Sequence, residues 1–521
     1  MTHEPIFGGR RLWRKPNPIF FVIIFSIILG LLFTSLAETR PTFGMLNEKE
    51  NSESQIESGA GYISYLPLIQ QPRSETVAGM QMNYISYSSG LSQLADTQSY
   101  WVGGAPILWS EIESTPGNYN WSKAASSEKQ WQLASSEGLW PIGNVRSTPL
   151  WAQLFSGDFC GPIKEQYFDE FAEFMRQLVS RYSVPPYNVK YWEIWNEPDV
   201  DHRIVGGNSQ FGCWGNYDDS FYGGGYYAKM LKAVYPAMKS ANPNVQVLVG
   251  GLLLDCDPNK AGNNCVSSKF FEGIVRNGGG SYFDGVSFHA YNYFSYTWGL
   301  PEADRYSKNL GHYKSNNLWS SAWNTTGPVF IEKAGYLNGI LSKYGVTGKY
   351  LLNTEDAVNC SVCNGELVQP YNENPTPAFE TTKAYYIAQA YAAAKNLGLR
   401  ANLWYSLQGW EKYNTGLLNS DLSEREGFTA YRVATQKLDR ADSLGLLTSA
   451  DISPVNGIRG YKFSHQNQQT WVVWSLDGND HAVTLLSGNT LTGITDAFGV
   501  AQPLSTSITI TIKPLYIEWI P

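Results

Sequence analysis

Charge is scarce in this chain. Of 521 residues only 16% are Asp, Glu, Lys or Arg, and the formal net charge is -8. Past Lys15 no cluster of Lys and Arg forms a basic stripe, which argues against a nucleic-acid partner. Disorder is also disfavoured. It needs high charge and few aromatics, and here aromatics reach 14%, with 18 Trp and 33 Tyr. A Gly-rich phosphate turn is missing. Residues 86–95, SYSSGLSQLA, follow the first strand-like run without supplying GxGxxG, which counts against an open doubly wound sheet. No cluster of His, Asp and Cys has metal-ligand spacing, so no metal and no other cofactor is expected.

Cysteine is sparse too, at six: Cys160, Cys213, Cys256, Cys265, Cys360 and Cys363. The close pairs Cys256/Cys265 and Cys360/Cys363 can each close a local loop, which leaves Cys160 for Cys213, although spacing alone does not choose among pairings. The Cys360-Ser361-Val362-Cys363 element lacks a second CxxC and a nearby His, so a structural disulfide is preferred to a zinc or redox motif.

The one long apolar run lies at the N-terminus. Arg10, Arg11, Arg14 and Lys15 precede IFFVIIFSIILGLLF, Ile19 to Phe33, and small residues follow at Ser35-Leu36-Ala37. A basic flank, an apolar core and a small-residue end read as a secretion signal cleaved after Ala37. An uncleaved anchor with its basic end inside is the alternative. Both readings put the body of the protein outside the cytoplasm, extracellular or at the cell surface. Any membrane contact would run through this segment alone. Residues 38–77 read as a polar linker.

From residue 78 short apolar runs alternate with helical spacing. The runs are 79–85, 100–107, 140–145, 191–195, 245–254, 285–291, 350–354 and 401–406. Between them, FDEFAEFMRQLVSRY (168–182) puts Phe168, Phe171, Phe174 and Leu178 on one face, and TTKAYYIAQAYAAAKNLG (381–398) is Ala-rich and stops at Gly398. Eight strands alternating with helices predict an α/β fold, a (β/α)8 TIM barrel over 78–448. From 449 to 521 the period changes to two, with Gly, Asn and Asp turns. This reads as a small C-terminal all-β, sandwich-like domain that packs on the barrel.

In such a barrel the reacting groups hang from the C-terminal ends of strands. Strand four ends in Asn196-Glu197-Pro198, strand six in His289-Ala290-Tyr291, strand seven in Asn353-Thr354-Glu355-Asp356, and strand eight holds Trp404 and Tyr405. Two acids facing each other across a barrel mouth suit glycoside hydrolysis. One protonates the leaving oxygen; the other, ionised, attacks the anomeric carbon or activates water. Abundant aromatics offer faces on which pyranose rings stack.

The stretch WEIWNEPD, Trp192 to Asp199, resembles the acid/base motif of glycoside hydrolase clan A, the retaining TIM-barrel glycosidases. LLNTEDAV, Leu351 to Val358, resembles the clan's strand-seven motif. WSEIESTPGNYNW (109–121) and STPLWA (147–152) are most similar to loops of family 39 and related families. The resemblance implies a retaining enzyme with Glu197 as general acid/base and Glu355 as nucleophile. It also implies that Asn196 binds the sugar 2-hydroxyl, that Tyr291 donates to Glu355 to favour its ionised form, and that His289 positions this network. Trp404 would floor the subsite at the cleavage point. Related enzymes carry an Arg on strand two, where this chain has Trp101-Val102-Gly103-Gly104, and Arg146 is the candidate to replace it near Glu355.

Each assignment has a plainer rival. Glu197 also reads as a plain strand end before Pro198, Asp356 competes with Glu355, and His289 suits a satisfied core histidine. Glu193 and Trp195 lie on one strand face with Tyr191 and are expected to point into the barrel, Glu193 as a paired structural acid. Trp151, Trp298 and Trp410 either line subsites or pack. The expected function is hydrolysis of O-glycosidic bonds in poly- or oligosaccharides, β-xylosidase- or β-glycosidase-like, with the two carboxyl groups about 5–5.5 Å apart. The alternatives are an inactive glycan-binding barrel and a transglycosidase using the same residues.

Overall fold

The computed structural model describes residues 75–82, 90–95, 97–259, 265–294, 319–320, 323, 327–360, 363, 376–409 and 413–521. The segment read as a signal or anchor, the part of the expected linker before residue 75, Trp298 and Trp410 lie outside the described residues. Among the described residues, no helix is long and apolar enough to cross a membrane.

Eight parallel strands form the barrel: β1 (Ala78–Gln81), β2 (Trp101–Gly103), β3 (Trp140–Arg146), β4 (Tyr191–Asn196), β5 (Gln246–Leu252), β6 (Gly285–Phe294), β7 (Tyr350–Asn359) and β8 (Ala401–Tyr405). Each pairs with its successor, and β8 pairs with β1, so the sheet closes on itself. The expected TIM barrel is therefore the fold found. Between the strands run the helices α1 (Leu91–Ala95), α2 (Ala125–Ser136), α3 (Phe168–Tyr182), α4 (Gly224–Ala241), α5 (Lys269–Arg276), α6 (Phe330–Lys343), α7 (Thr376–Asn396) and α8 (Glu426–Lys437).

Alternation along the strands sorts the apolar residues into two cores. Tyr100, Trp101, Ile142, Tyr191, Leu248, Leu352, Ala401 and Leu403 fill the barrel floor. The residues between them face the helices, as Trp192 does against Trp131 of α2. The stripe on α3 buries Phe171, Phe174 and Leu178 completely. Each such side chain stabilises the fold by about 1.5–3 kcal/mol relative to exposure. α7 is buried on nearly every side, which is why it is built of alanine: small side chains let it fit closely between the barrel and what covers it.

The covering layer is the C-terminal module. Its strands are β9 (Asp442–Leu446), β10 (Ile452–Ser453), β11 (Ile458–His465), β12 (Gln468–Ser475), β13 (His481–Leu485), β14 (Thr490–Asp496), β15 (Ser507–Ile510) and β16 (Leu515–Ile520). They form a five-stranded sheet, β9-β11-β12-β16-β14, and a three-stranded one, β10-β13-β15. Ile452, Val483 and Ile510 of the smaller sheet share a core with Trp471, Ile517 and Trp519 of the larger. The other face of the larger sheet, with Tyr461, Val472 and Tyr516, joins the core of the barrel. Both faces of β12 are thus covered, and its apolar run Trp471-Val472-Val473-Trp474 has no polar alternation to break it. The module starts at Asp442, before the boundary expected at residue 449.

Candidate active site

Strand β4 leaves the ladder through two residues in the left-handed region, Trp195 (φ 79°) and Glu197 (φ 46°). Side chains with a Cβ avoid this region at a cost of about 1–3 kcal/mol each. The first turn breaks the alternation of the strand. Tyr191 and Glu193 face inward as expected, but Trp195 does not. Its indole packs against Phe171 of α3 and Trp214, and its Nε1 donates to Cys160 O at 2.9 Å. The inward orientation expected for Trp195 is corrected by this reversal of parity. The second turn sends the Glu197 side chain back over the barrel mouth, while its backbone N–H still bonds Gly251 O of β5 at 2.8 Å.

Strand β7 breaks its ladder differently. Phe288 of β6 pairs with Asn353, but the next residue, His289, pairs with Glu355. On the other side Asn402 pairs with Asn353 and Trp404 with Asp356. Thr354 is thus an extra residue, a bulge that reverses which side chains face in. Without it, alternation from the floor residue Leu352 would aim Asp356 at the mouth. With it, Glu355 reaches the mouth, and Asp356 turns to the helix layer. There Asp356 accepts from Tyr386 Oη at 2.8 Å and from Asn402 Nδ2 at 2.9 Å. Burial pushes the Asp356 carboxyl up to about 7, against the pull of these two donors.

Strand β6 keeps its alternation and presents His289 and Tyr291 between the two acids. His289 Nδ1 lies 2.8 Å from Glu197 Oε1 and 3.4 Å from Glu355 Oε2. The Tyr291 hydroxyl donates to Glu355 Oε2. One carboxylate oxygen of Glu197, one of Glu355 and a ring nitrogen of His289 all fall within 4.8 Å of one another. The imidazole fits because β5 has no side chain opposite it: a Cβ on Gly251 would stand 2.1 Å from His289 Nε2.

Electrostatics follow from this crowding. Burial pushes the Glu355 carboxyl up to about 7; Glu197 and Glu193 add to the rise, while His289 and the Tyr291 hydroxyl oppose it. Burial alone would lower His289, but Glu355, Glu197 and Glu193 outweigh it and raise the imidazole to about 9. The imidazole and the Glu355 carboxyl thus shift each other: His289 holds Glu355 down, and Glu355 holds His289 up. The spacing of these atoms would admit a cation, but an imidazole raised to about 9 keeps its proton at neutral pH, and His289 Nδ1 and Glu355 Oε2 already have hydrogen-bond partners within the cluster, so the three groups do not form a ligand set.

The remaining expected site residues divide. Asn196 Nδ2 and Arg146 Nη1 both donate to Gln210 O, at 3.2 and 2.9 Å, so Arg146 is fixed on the Asn196 side of the mouth rather than held against Glu355. Trp404 has no exposed surface; its Nε1 donates to Thr415 O at 2.9 Å and its ring packs against Tyr386 of α7. A ring buried in the helix layer offers no face to a sugar, which corrects the expected role of Trp404. Its neighbour Tyr405 takes the inward direction, 6.3 Å from the Tyr291 ring. Trp151 packs edge-on against Trp109 and donates to Glu113 O at 3.1 Å. Glu193 is buried beside Asn144, whose Nδ2 donates to it at 3.3 Å, so its partner is an amide and not a cation.

Gln81 was not anticipated. It ends β1 and lies across Gly103 of β2, where a Cβ would come within 2.1 Å of Gln81 Oε1. Its Nε2 donates to Thr354 O at 2.9 Å, tying β1 to the bulge that aims Glu355. The vacant position on strand two is thus filled from strand one. In the sequence Gln81 lies inside the run 79–85, between Met80 and Met82, so strand-end polarity did not mark it. The three disulfides are Cys160–Cys213, Cys256–Cys265 and Cys360–Cys363. The first joins the loops that follow β3 and β4.

No protein-family model matches the chain, and no curated protein does. Solved structures match it well in shape. A family 39 glycoside hydrolase from the gut symbiont Bacteroides cellulosilyticus WH2 has a TM-score of 0.60 at 16% identity, covering 85% of this chain and 81% of that one. AbfB, a family 51 alpha-L-arabinofuranosidase from Bifidobacterium longum, gives 0.55 at 14% identity, with 86% and 96% covered. A GH30 endoxylanase from Clostridium papyrosolvens C71 gives 0.52 at 11% identity, with 86% and 98% covered. At these identities the likeness is one of fold: the chain shares the barrel architecture of clan A glycoside hydrolase structures from families 39, 51 and 30, the resemblance its motifs imply.

Proposed function

We propose that the protein is an exported retaining glycoside hydrolase, with Glu355 as nucleophile and Glu197 as general acid/base. The observation that carries this reading is the approach of the two carboxylates, with an oxygen of each inside the 4.8 Å cluster around His289. Retaining enzymes hold their carboxyl groups about 5–5.5 Å apart, and inverting ones about 6.5–9.5 Å, to leave room for water. Three disulfides support an oxidising compartment.

The chemistry follows from the partners of each acid. Double displacement needs one carboxyl protonated and the other ionised. Donation from Tyr291 stabilises the ionised form of Glu355 against its burial, the form that attacks, and the reading assigns the role of proton donor to Glu197. A Glu355 oxygen then attacks the anomeric carbon while Glu197 gives its proton to the departing oxygen, leaving a glycosyl ester on Glu355. Glu197, now ionised, takes a proton from water as that water attacks the same carbon, and Glu355 is released as carboxylate. Asn196, on the rim beside Glu197, hydrogen-bonds the 2-hydroxyl, and Tyr405 replaces Trp404 as the ring beside the reacting sugar. The substrate class is a β-xyloside, glucoside or mannoside, or a stereochemical equivalent such as an α-L-arabinofuranoside, the sugar named for one structural neighbour.

Hydrolysis of a panel of nitrophenyl glycosides and plant or microbial polysaccharides tests the reading. At least one member should be cleaved by the wild type and not by Glu355→Ala. Equal rates for the two proteins would overturn it.

A further inference from the structure

Asp199 closes the WEIWNEPD stretch, and nothing in the proposed chemistry uses it. It is buried at 2% exposure. Both of its oxygens accept backbone N–H bonds from the loop after β5, from Leu253 and Leu254, each at 2.8 Å. Lys333 of α6 grips the same loop from the other side. Its Nζ donates to Leu253 O and to His289 O, both at 2.7 Å, and it is 6% exposed. The peptide unit between Leu253 and Leu254 is therefore held at its N–H by Asp199 and at its carbonyl by Lys333. The pair ties together the chain beyond β4, the loop after β5 and strand β6, directly behind Glu197 and His289.

A buried ammonium is costly to keep unless something uses its charge. Burial lowers Lys333 to about 8, while Asp199, Asp255 and Glu197 pull it back up. It is thus largely cationic at neutral pH. Burial raises Asp199 to about 7, against its two backbone donors. The backbone also needs the brace: Glu197 and Leu254 both sit at positive φ, 46° and 47°, one on each side of the clasp.

We propose that Asp199 and Lys333 form a buried charge pair, bridged by the Leu253 peptide, that holds Glu197 at the mouth and balances the charge felt by Glu197 and His289. They are positioning residues, and their catalytic consequence rests on the hydrolase reading of Glu197. The other charged or titratable groups facing this region are Glu193 on β4, Asp255 after β5, Tyr291 and Tyr293 on β6, and Glu355 on β7. All stay unchanged in the test.

The His289 imidazole reports the charge without any substrate. The full chain, labelled at its six histidines, is titrated by NMR, with the His289 signal assigned by its loss in His289→Gln. Removing an anion should lower the midpoint, and removing a cation should raise it. Asp199→Asn is expected to move it down by about half a pH unit or more, and Lys333→Met up by a smaller step, because Lys333 is already giving up its proton where His289 titrates. The double variant should return toward wild type. If Lys333→Met does not fold, Lys333→Gln keeps a donor for one carbonyl and carries the same prediction. In the active enzyme the alkaline limb of kcat/KM should move in the same opposed senses. Midpoints that stay put, or that move together, overturn the charge pair. Opposed shifts in a protein that cleaves no glycoside would uphold the pair and overturn the hydrolase reading instead.

Discussion

Strands β4 and β7 bring an acid to the same barrel mouth by different distortions. β4 uses two left-handed residues, Trp195 and Glu197, and the turn is clamped from behind by Asp199 and Lys333. β7 inserts Thr354, and the bulge is held from in front by Gln81. In each case the ladder loses its period of two just where a carboxylate must change face. The comparison teaches that the parity of a strand end, and not only its residue types, decides which acid is available. On β7 the bulge chooses Glu355 over Asp356. On β4 the turn sends Trp195 outward and leaves Glu197 at the mouth, facing His289.

The sharpest way to break that comparison is to alter the two neighbouring acids of β7 separately. Glu355→Gln should lose on the order of 10^4 in kcat or more, since it removes the attacking oxygen. Asp356→Asn should stay within about tenfold of wild type, because it alters one hydrogen bond in the helix layer. Initial rates on one good substrate check both, and the reverse ranking would mean that the bulge does not select Glu355.

On β4 the corresponding test depends on the leaving group. Glu197→Gln should lose about 10^2–10^4 on substrates whose leaving group needs a proton, and far less on aryl glycosides with acidic phenols. Rates measured across a series of phenol acidities give the slope. A uniform loss would deny Glu197 the role of acid.

Strand β8 extends the parity question to aromatics. Trp404→Ala should destabilise the fold by about 3–5 kcal/mol, the usual cost of emptying a buried tryptophan site. Tyr405→Ala should instead raise KM by about tenfold, with a smaller change in Tm. Thermal melts and Michaelis curves on the two variants separate them.

A smaller effect lies in the pH dependence of stability. The Asp356 carboxyl is raised from 3.8 unfolded to about 7 folded. Its contribution is therefore fully present below pH 3.8 and lost as pH rises through 7. Asp356→Asn should narrow the difference between Tm at pH 5 and Tm at pH 8, by an amount corresponding to about 2–4 kcal/mol. Scanning calorimetry at the two pH values measures it.

Much of this molecule was legible in its sequence. All eight barrel strands fall on apolar runs, because alternation and strand-end polarity are written in residue types. Glu197, His289, Tyr291 and Glu355 were found for the same reason and come together in space. The orientation of Trp195 was not legible, since a left-handed residue is a backbone event that reverses parity without a distinctive side chain. Trp404 differs: its strand keeps alternation, with Ala401, Leu403 and Tyr405 facing in, and the role expected from the resemblance ran against that period. Arg146 was expected beside Glu355 because strand two, Trp101-Val102-Gly103-Gly104, carries no arginine, but the space over Gly103 is filled across the β1–β2 pairing by Gln81. Lys333 left no trace at all: a lysine in an amphipathic helix reads as a solvated one until the helix is seen to press it against two carbonyls.

The central claim is double displacement by Glu355 and Glu197, and the configuration of the first product tests it most directly. Proton NMR of early hydrolysis of an aryl glycoside, recorded before mutarotation, distinguishes the anomers. The account predicts that the sugar released first keeps the anomeric configuration of the substrate. Release of the opposite anomer would contradict it.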